Sequence, residues 1–254
     1  MARPPAENDP RWAALRRYTP ARIGLGRAGS GLATRDHLAF QLAHAEARDA
    51  VQDALDPAPL LAGLQARGLA ALQLHSAARQ RSEFLCRPDL GRQLDPPSRA
   101  RLAGAPAGHD LVLVLADGLS ARAIQRHALA LLDATLPELG RLGWRLGPAS
   151  VVEQGRVAIG DEIGAALQAA LVAVLIGERP GLSAPDSLGV YLTFAPKVGR
   201  SDAERNCISN IRPAGLGYGE AAATMIHLLT EARRRQLTGV QLKDEAGRLT
   251  PPGV

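Results

Sequence analysis

Cysteine, lysine and aromatic residues are all scarce in this chain. The two cysteines among 254 residues, Cys86 and Cys207, are too few for a disulfide framework and too far apart for metal-ligand spacing. Phe, Tyr and Trp together make up 3% of the residues, which leaves few stacking platforms for single-stranded nucleic acid. Long apolar runs are missing too. Leu111 to Ala116 and Ala169 to Ile176 are the longest, well short of the ~20 residues that a membrane helix needs. The opening "MARPPAENDPRW" lacks the apolar block of a secretory signal, so a cytoplasmic location is expected. No Gly-Lys-Ser/Thr occurs, which removes a P-loop. His37, His44, His75, His109, His127 and His227 are scattered, and no metal site is predicted from them.

What the chain has in abundance is arginine: only Lys197 and Lys243 among its 30 basic residues are lysine, and the net charge is +5. The arginines are interleaved with acids, so a nucleic-acid partner is not expected. The one dense cluster, Arg233-Arg234-Arg235, follows a helical pattern and suits a last helical turn, where cations complement the macrodipole.

Two grammars divide the chain. Residues 1–104 read as helices joined by turns. Thr34 can cap a helix to about Leu55, Pro57 and Pro59 break it, a short helix runs to Gly68, and Ser76 can cap another that ends near Pro88. Few β-branched residues occur there, so the region is predicted to be helical, with a Gly-rich linker. Residues 105–254 alternate strands and helices. "DLVLVLADGLS" gives a strand and a helix capped at Ser120; "ASVVEQG", "LVAVLIG", "GVYLTFAP" and "TGVQLKD" read as further strands, with helices from about Asp161 and over about Tyr218 to Gln236. The predicted class is α/β: a mainly parallel sheet flanked by helices, in a Rossmann-like domain.

In such a sheet ligands sit outside the carboxyl ends of the strands, so the strand-ending turns "ADGLS" and "GERPG" are expected to share one crevice. Glu178, directly after an apolar strand, is a surface residue, an ion-pair partner of Arg179 or a ligand acceptor in the crevice, and its position favours the crevice; Asp117 holds the equivalent place after the first strand. Cys207, with no histidine nearby to serve as a base, reads as a small buried residue. "GLGRAG", Gly24 to Gly29, matches a dinucleotide fingerprint but lacks room for a preceding strand, and a Gly-rich linker passing close to another backbone fits better. A stand-alone dinucleotide-binding oxidoreductase is the alternative reading of the fold.

Six blocks in order, "LRRYTPARIGLGRAG", "RPDLGRQL", "DLVLVLADGLSARAI", "VEQGRVAIGDEIG", "VLIGERPGL" with "APDSLGVYLTFAP", and "DAERNCISNIRP", resemble the small subunit of ethanolamine ammonia-lyase. The resemblance implies a non-autonomous subunit of an adenosylcobalamin-dependent lyase of ethanolamine catabolism, which converts ethanolamine to acetaldehyde and ammonia. It implies a large-subunit partner that carries the substrate site, with the small subunit completing the cobalamin site at their interface. Cobalamin contacts carry over to Val157, Glu178 and Cys207, and no catalytic residue carries over. The chain lacks Asp-x-His-x-x-Gly, by which some cobalamin proteins replace the benzimidazole with histidine, so the base-on form is expected. Some relatives carry a long polar N-terminal extension linked to packaging in a bacterial microcompartment. About a dozen residues precede the first block here, so a cytoplasmic location is favoured over encapsulation.

Overall fold

The two longest apolar runs become adjacent strands at the centre of a sheet. The computed structural model describes residues 10–243. A short helix, α1 (Pro10–Leu15), precedes a small hairpin, β1 (Arg27–Ala28) with β2 (Gly31–Leu32), and two helices, α2 (Thr34–Gln52) and α3 (Pro57–Ala66). Then follow β3 (Ala71–His75), α4 (Arg81–Cys86), α5 (Pro96–Ala103), β4 (Leu111–Ala116), α6 (Ala121–Arg141), β5 (Ala149–Glu153) and α7 (Ile159–Ala166). The chain continues through β6 (Leu171–Gly177), β7 (Leu188–Phe194), β8 (Asn206–Ile211) and α8 (Tyr218–Arg235).

The sheet has six strands in the order β3-β5-β4-β6-β7-β8. Neighbours are parallel from β3 to β6 and antiparallel from β6 to β8. The architecture is α/β, but the expected mainly parallel sheet is a mixed one. The reason lies in the connection after β6: residues 178–187 contain no helix, and a parallel return needs a crossover of a dozen or more residues.

β4 and β6 are buried along their whole length, as strands covered on both faces must be. Leu111, Leu113 and Leu115 pack with Leu60 and Leu64 of α3, Leu131 and Leu132 of α6 and Met225 of α8. Val112 and Val114 face the other way, onto Leu102 of α5 and Ile159 and Ile163 of α7. Fully burying a Leu, Val or Ile side chain contributes about 1.5–3 kcal/mol, so these alternating faces supply most of the driving force.

The expectation of a helical N-terminal region is corrected here. β3, from "AALQLHS", pairs in parallel with β5 from Ala71↔Ala149 to His75↔Glu153. Its lack of β-branched residues is overridden by that pairing and by Leu74, buried beneath α5. Ser76 caps no helix. Its hydroxyl accepts from the Ala78 amide within a turn, and α4 starts only after Gln80. The helix expected to reach Leu55 and be broken by Pro57 and Pro59 ends already at Gln52, and both prolines lie in the first turn of α3, where the Asp56 carboxylate caps the Ala58 amide at 3.1 Å. Thr34 is the first residue of α2 rather than its cap. The expected strand "TGVQLKD" is turn and coil over residues 238–243, and Asp244 lies outside the described residues. Ser120 caps α6 as expected, its hydroxyl accepting from the Ala123 amide, and the arginine triplet closes α8.

One buried ion pair ties α7 to the antiparallel strands. Arg205, just before β8, donates to both carboxylate oxygens of Asp161 at 2.7 and 2.6 Å and to the Thr193 hydroxyl of β7 at 2.9 Å. Both charged residues are buried. Arg205→Met would leave Asp161 as an uncompensated buried charge, and an equilibrium urea titration should show a loss of about 3–5 kcal/mol. A loss below about 1 kcal/mol would mean that the pair holds nothing together.

Candidate functional site

The turns after β4 and β6 lie at one edge of the sheet, because these parallel strands pair from Leu111↔Leu171 to Ala116↔Ile176. They touch: the Leu119 amide donates to the Gly177 carbonyl at 3.0 Å. Glycine is needed at both points. A Cβ on Gly177 would collide with the Ser120 carbonyl, and one on Gly118 would collide with the Gly177 carbonyl. The expected shared crevice is present, a cavity of about 390 Å³ lined by Leu119, Arg156, Val157, Glu178, Arg179 and Tyr191, with the glycine turns at its base.

The Glu178 carboxylate does not pair with Arg179. It accepts instead from the Asn210 backbone amide, at 3.1 and 3.3 Å, and packs beside Gly189. Asn210 has the left-handed φ of 59°, which asparagine tolerates, and the Arg212 guanidinium holds its side-chain oxygen at 3.0 Å. The segment after Glu178 is folded back by a Gly181–Ala184 bridge. It is latched to α6 by Asp186, which accepts from Arg126 at 2.8 Å, and by the Pro185 carbonyl, which accepts from the Ser120 hydroxyl at 3.1 Å. The Gly-Glu-Arg-Pro turn is therefore a built one: the glycine permits close approach, and the acid is fixed with unused acceptor capacity toward the cavity.

Cys207 is exposed, not buried as the sequence suggested, because β8 is an edge strand whose side chains alternate between core and solvent. It stands opposite Tyr191 in the β7–β8 register. Partial burial pushes the thiol pKa up; the neighbouring Tyr191 hydroxyl lowers it by less, and the Glu178 charge adds a still smaller rise. A thiol so held stays protonated at neutral pH and is a contact group rather than a nucleophile. Val157 and Glu178 line the cavity directly, while Cys207 reaches it only through Tyr191. Sequence reasoning passed over both Tyr191 and Arg156.

Asp117 has a structural task. It is 1% exposed, and its two carboxylate oxygens accept from the backbone amides of Gln154 and Gly155, at 3.0 and 2.9 Å, which fixes the turn that carries Arg156 and Val157. Arg81 of α4 approaches it at 3.4 Å and also donates to the Gly118 carbonyl at 2.9 Å. The segment before residue 104 thus supports the turns that line the crevice. Gly91 adds to this support, its carbonyl accepting from the Arg156 amide at 2.7 Å. "GLGRAG" takes no part. Gly24 lies against the Trp12 side chain, a small hairpin rather than a helix follows, and the dinucleotide fingerprint is excluded. Among the described residues no group of three or more His, Cys, Asp or Glu is placed to hold a metal ion.

Burial raises the Asp117 pKa to about 6, against the opposing pull of Arg81 and the two amides. A carboxyl raised above its unfolded value of 3.8 binds more protons in the folded than in the unfolded state between those pH values. Its contribution to stability is therefore full below about pH 4 and is lost as pH rises through about 6, with a slope of at most about 1.4 kcal/mol per pH unit. Urea titrations from pH 4 to 7 should show this slope in the wild type and not in Asp117→Asn. Parallel pH profiles for the two proteins would contradict the assignment.

A model of the ethanolamine ammonia-lyase light-chain family matches residues 9–243. Three similar proteins are each named ethanolamine ammonia-lyase small subunit. The one from Azotobacter vinelandii is 60% identical over 248 residues, covering 96% of this chain and 92% of that protein. The one from Xanthomonas campestris pv. campestris is 58% identical over 98% of this chain and 93% of its own length. The one from Ralstonia nicotianae is 59% identical over 92% and 88%. With the family match spanning every described residue and the six blocks lying within it, this chain belongs to the ethanolamine ammonia-lyase small-subunit family.

Proposed function

We propose that this chain works as one subunit of a lyase that splits ethanolamine into acetaldehyde and ammonia, and that its crevice is one wall of an adenosylcobalamin site completed by a large subunit. The observation that carries the reading is the cavity at the carboxyl ends of β4 and β6, with Glu178 as a fixed acceptor beside the apolar Val157. The four parallel strands from β3 to β6, with α6 and α7 on opposite faces, support a Rossmann-like reading of that half of the sheet.

The residues suit the group. Cobalamin's rim is a ring of amides whose N–H groups need acceptors, and the Glu178 carboxylate keeps free lone pairs after accepting from Asn210. Its benzimidazole needs apolar contact, which Val157 and the Tyr191 ring supply, with Cys207 at the margin. The cavity is at the small end of the roughly 300–1,000 Å³ that encloses drug-sized ligands, and cobalamin is far larger. One chain can therefore grip only an edge of it, and this supports a partner closing the other side. When bound, adenosylcobalamin supplies the radical chemistry. The residues of this chain bind and orient it: the Asn210 amide aims Glu178, and Asp117 holds the turn that presents Val157.

The isolated chain should show no ethanolamine-dependent ammonia release, whereas co-expression with a large subunit should yield a co-purifying, active complex. Robust turnover by this chain alone would overturn the subunit reading. In the assembled complex, Glu178→Gln exchanges a charged acceptor for a neutral one of nearly equal volume. Titration should show adenosylcobalamin binding weakened by roughly 1–3 kcal/mol at unchanged assembly. Equal dissociation constants for the two complexes would remove Glu178 from the site.

A further inference from the structure

Most guanidinium groups around the sheet are matched to carboxylates, as Arg67 is to Asp133, Arg99 to Glu162 and Arg122 to Asp53. Arg156 is not. It lies one residue before Val157 and forms the wall shared by the crevice and an adjoining depression of about 460 Å³. Its Nη2 donates to the Phe84 carbonyl at 3.2 Å, and its guanidinium stands 4.2 Å from the Phe84 ring centroid. Its Nε is buried without a hydrogen-bond partner.

A second cation crowds the same ring. The Arg81 guanidinium is 4.8 Å from that centroid, and its Nη2 is likewise buried and unpartnered. Asp117 makes its ion-pair contact with Arg81 and acts on Arg156 only through space. Arg92 lines the depression and Arg179 the crevice, and neither forms an ion pair among the described residues. Of the acids on these walls, Glu178 is bonded to a neutral group, the Asn210 amide, and Asp202 faces Arg205 at 3.5 Å, which leaves the carboxylates of Asp117 and Glu178 against the guanidinium groups of Arg81, Arg92, Arg156 and Arg179. The groove therefore holds more positive charge than its own acids neutralise. Burial, and then the charges of Arg81 and Arg92, lower the basicity of Arg156. Keeping such a group half-buried costs free energy that an incoming anion would offset.

We infer that Arg156 is the recognition point for a phosphodiester on the ligand of this crevice. The inference rests on the cobalamin reading, in which that anion is the phosphodiester of the nucleotide tail that carries the benzimidazole. A tail packed along Val157 and Tyr191 passes Arg156, the neighbour of Val157 on the same wall. The planar guanidinium fork matches phosphate oxygens, and within the described residues only its Nη2 is hydrogen-bonded.

The test compares adenosylcobalamin with adenosylcobinamide, which keeps the amide rim but lacks the phosphodiester tail, in the assembled complex. Arg156→Gln should weaken adenosylcobalamin binding about 10- to 100-fold and leave adenosylcobinamide within about threefold of wild type. Arg156→Lys should keep part of the affinity; if the glutamine variant does not fold, the lysine variant decides by the same comparison. Glu178→Gln, which acts on the rim, should weaken both corrinoids alike. Equal losses for both corrinoids in the Arg156 variants, or no loss for adenosylcobalamin, would overturn the inference and leave the cobalamin reading intact. A folded variant that no longer co-purifies would give Arg156 to a carboxylate of the partner, which also overturns it. Should the wild-type complex bind neither corrinoid, the cobalamin reading falls and this inference with it.

Discussion

A single buried carboxylate, Asp117, holds the walls of the crevice together. It joins three parts of the chain that are distant in sequence: the end of β4, the turn at Gln154–Gly155, and Arg81 of α4. Arg81 extends the tie to α2 through the Val51 carbonyl at 2.7 Å. A carboxylate removed from water in this way is tolerated only because two backbone amides and a cation receive it. The raised pKa shows that these partners compensate the burial only in part. Stability is given up at the strand ends so that the turn before Val157 has one geometry.

The rest of the site is fixed by the same means, polar groups locked by backbone partners on a rigid sheet. The Asp161–Arg205 pair sets the start of α7 against the β7–β8 strands, and so sets Val157 relative to Cys207. Ser120, Arg126 and Asp186 pin the segment after Glu178 to α6. Two glycines let the neighbouring turns come into contact, which places Leu119 and Glu178 on one rim. The groups of the site are thereby oriented before any ligand arrives, which lowers the entropic cost of binding.

What the sequence revealed was what depends on local physics. The fully buried runs of β4 and β6, the Ser120 cap and the cationic end of α8 follow from hydrophobic pattern and helix electrostatics, and each is where it was expected. The shared crevice followed from one further rule, that parallel strands end on one side. Features decided by distant partners were not legible. β3 has no strand signal apart from its pairing with β5, and the exposure of Cys207 follows from an edge position that "NCISN" does not announce. Tyr191 looked like an ordinary strand residue. Arg156 was one arginine among many until the structure showed that its neighbours carry no acid for it; the excess of charge exists only in three dimensions.

The central claim is that the carboxyl ends of β4 and β6 form the cobalamin face of an assembled lyase. Amide hydrogen exchange on the complex with its large subunit, with and without adenosylcobalamin, tests it most directly. The account predicts new protection at residues 118–119, 154–158, 177–179 and 206–211 when the cofactor is added, with little change elsewhere on this chain. Protection confined to another surface, such as the cavity between residues 236–241 and Phe194, with the crevice unchanged, would contradict it.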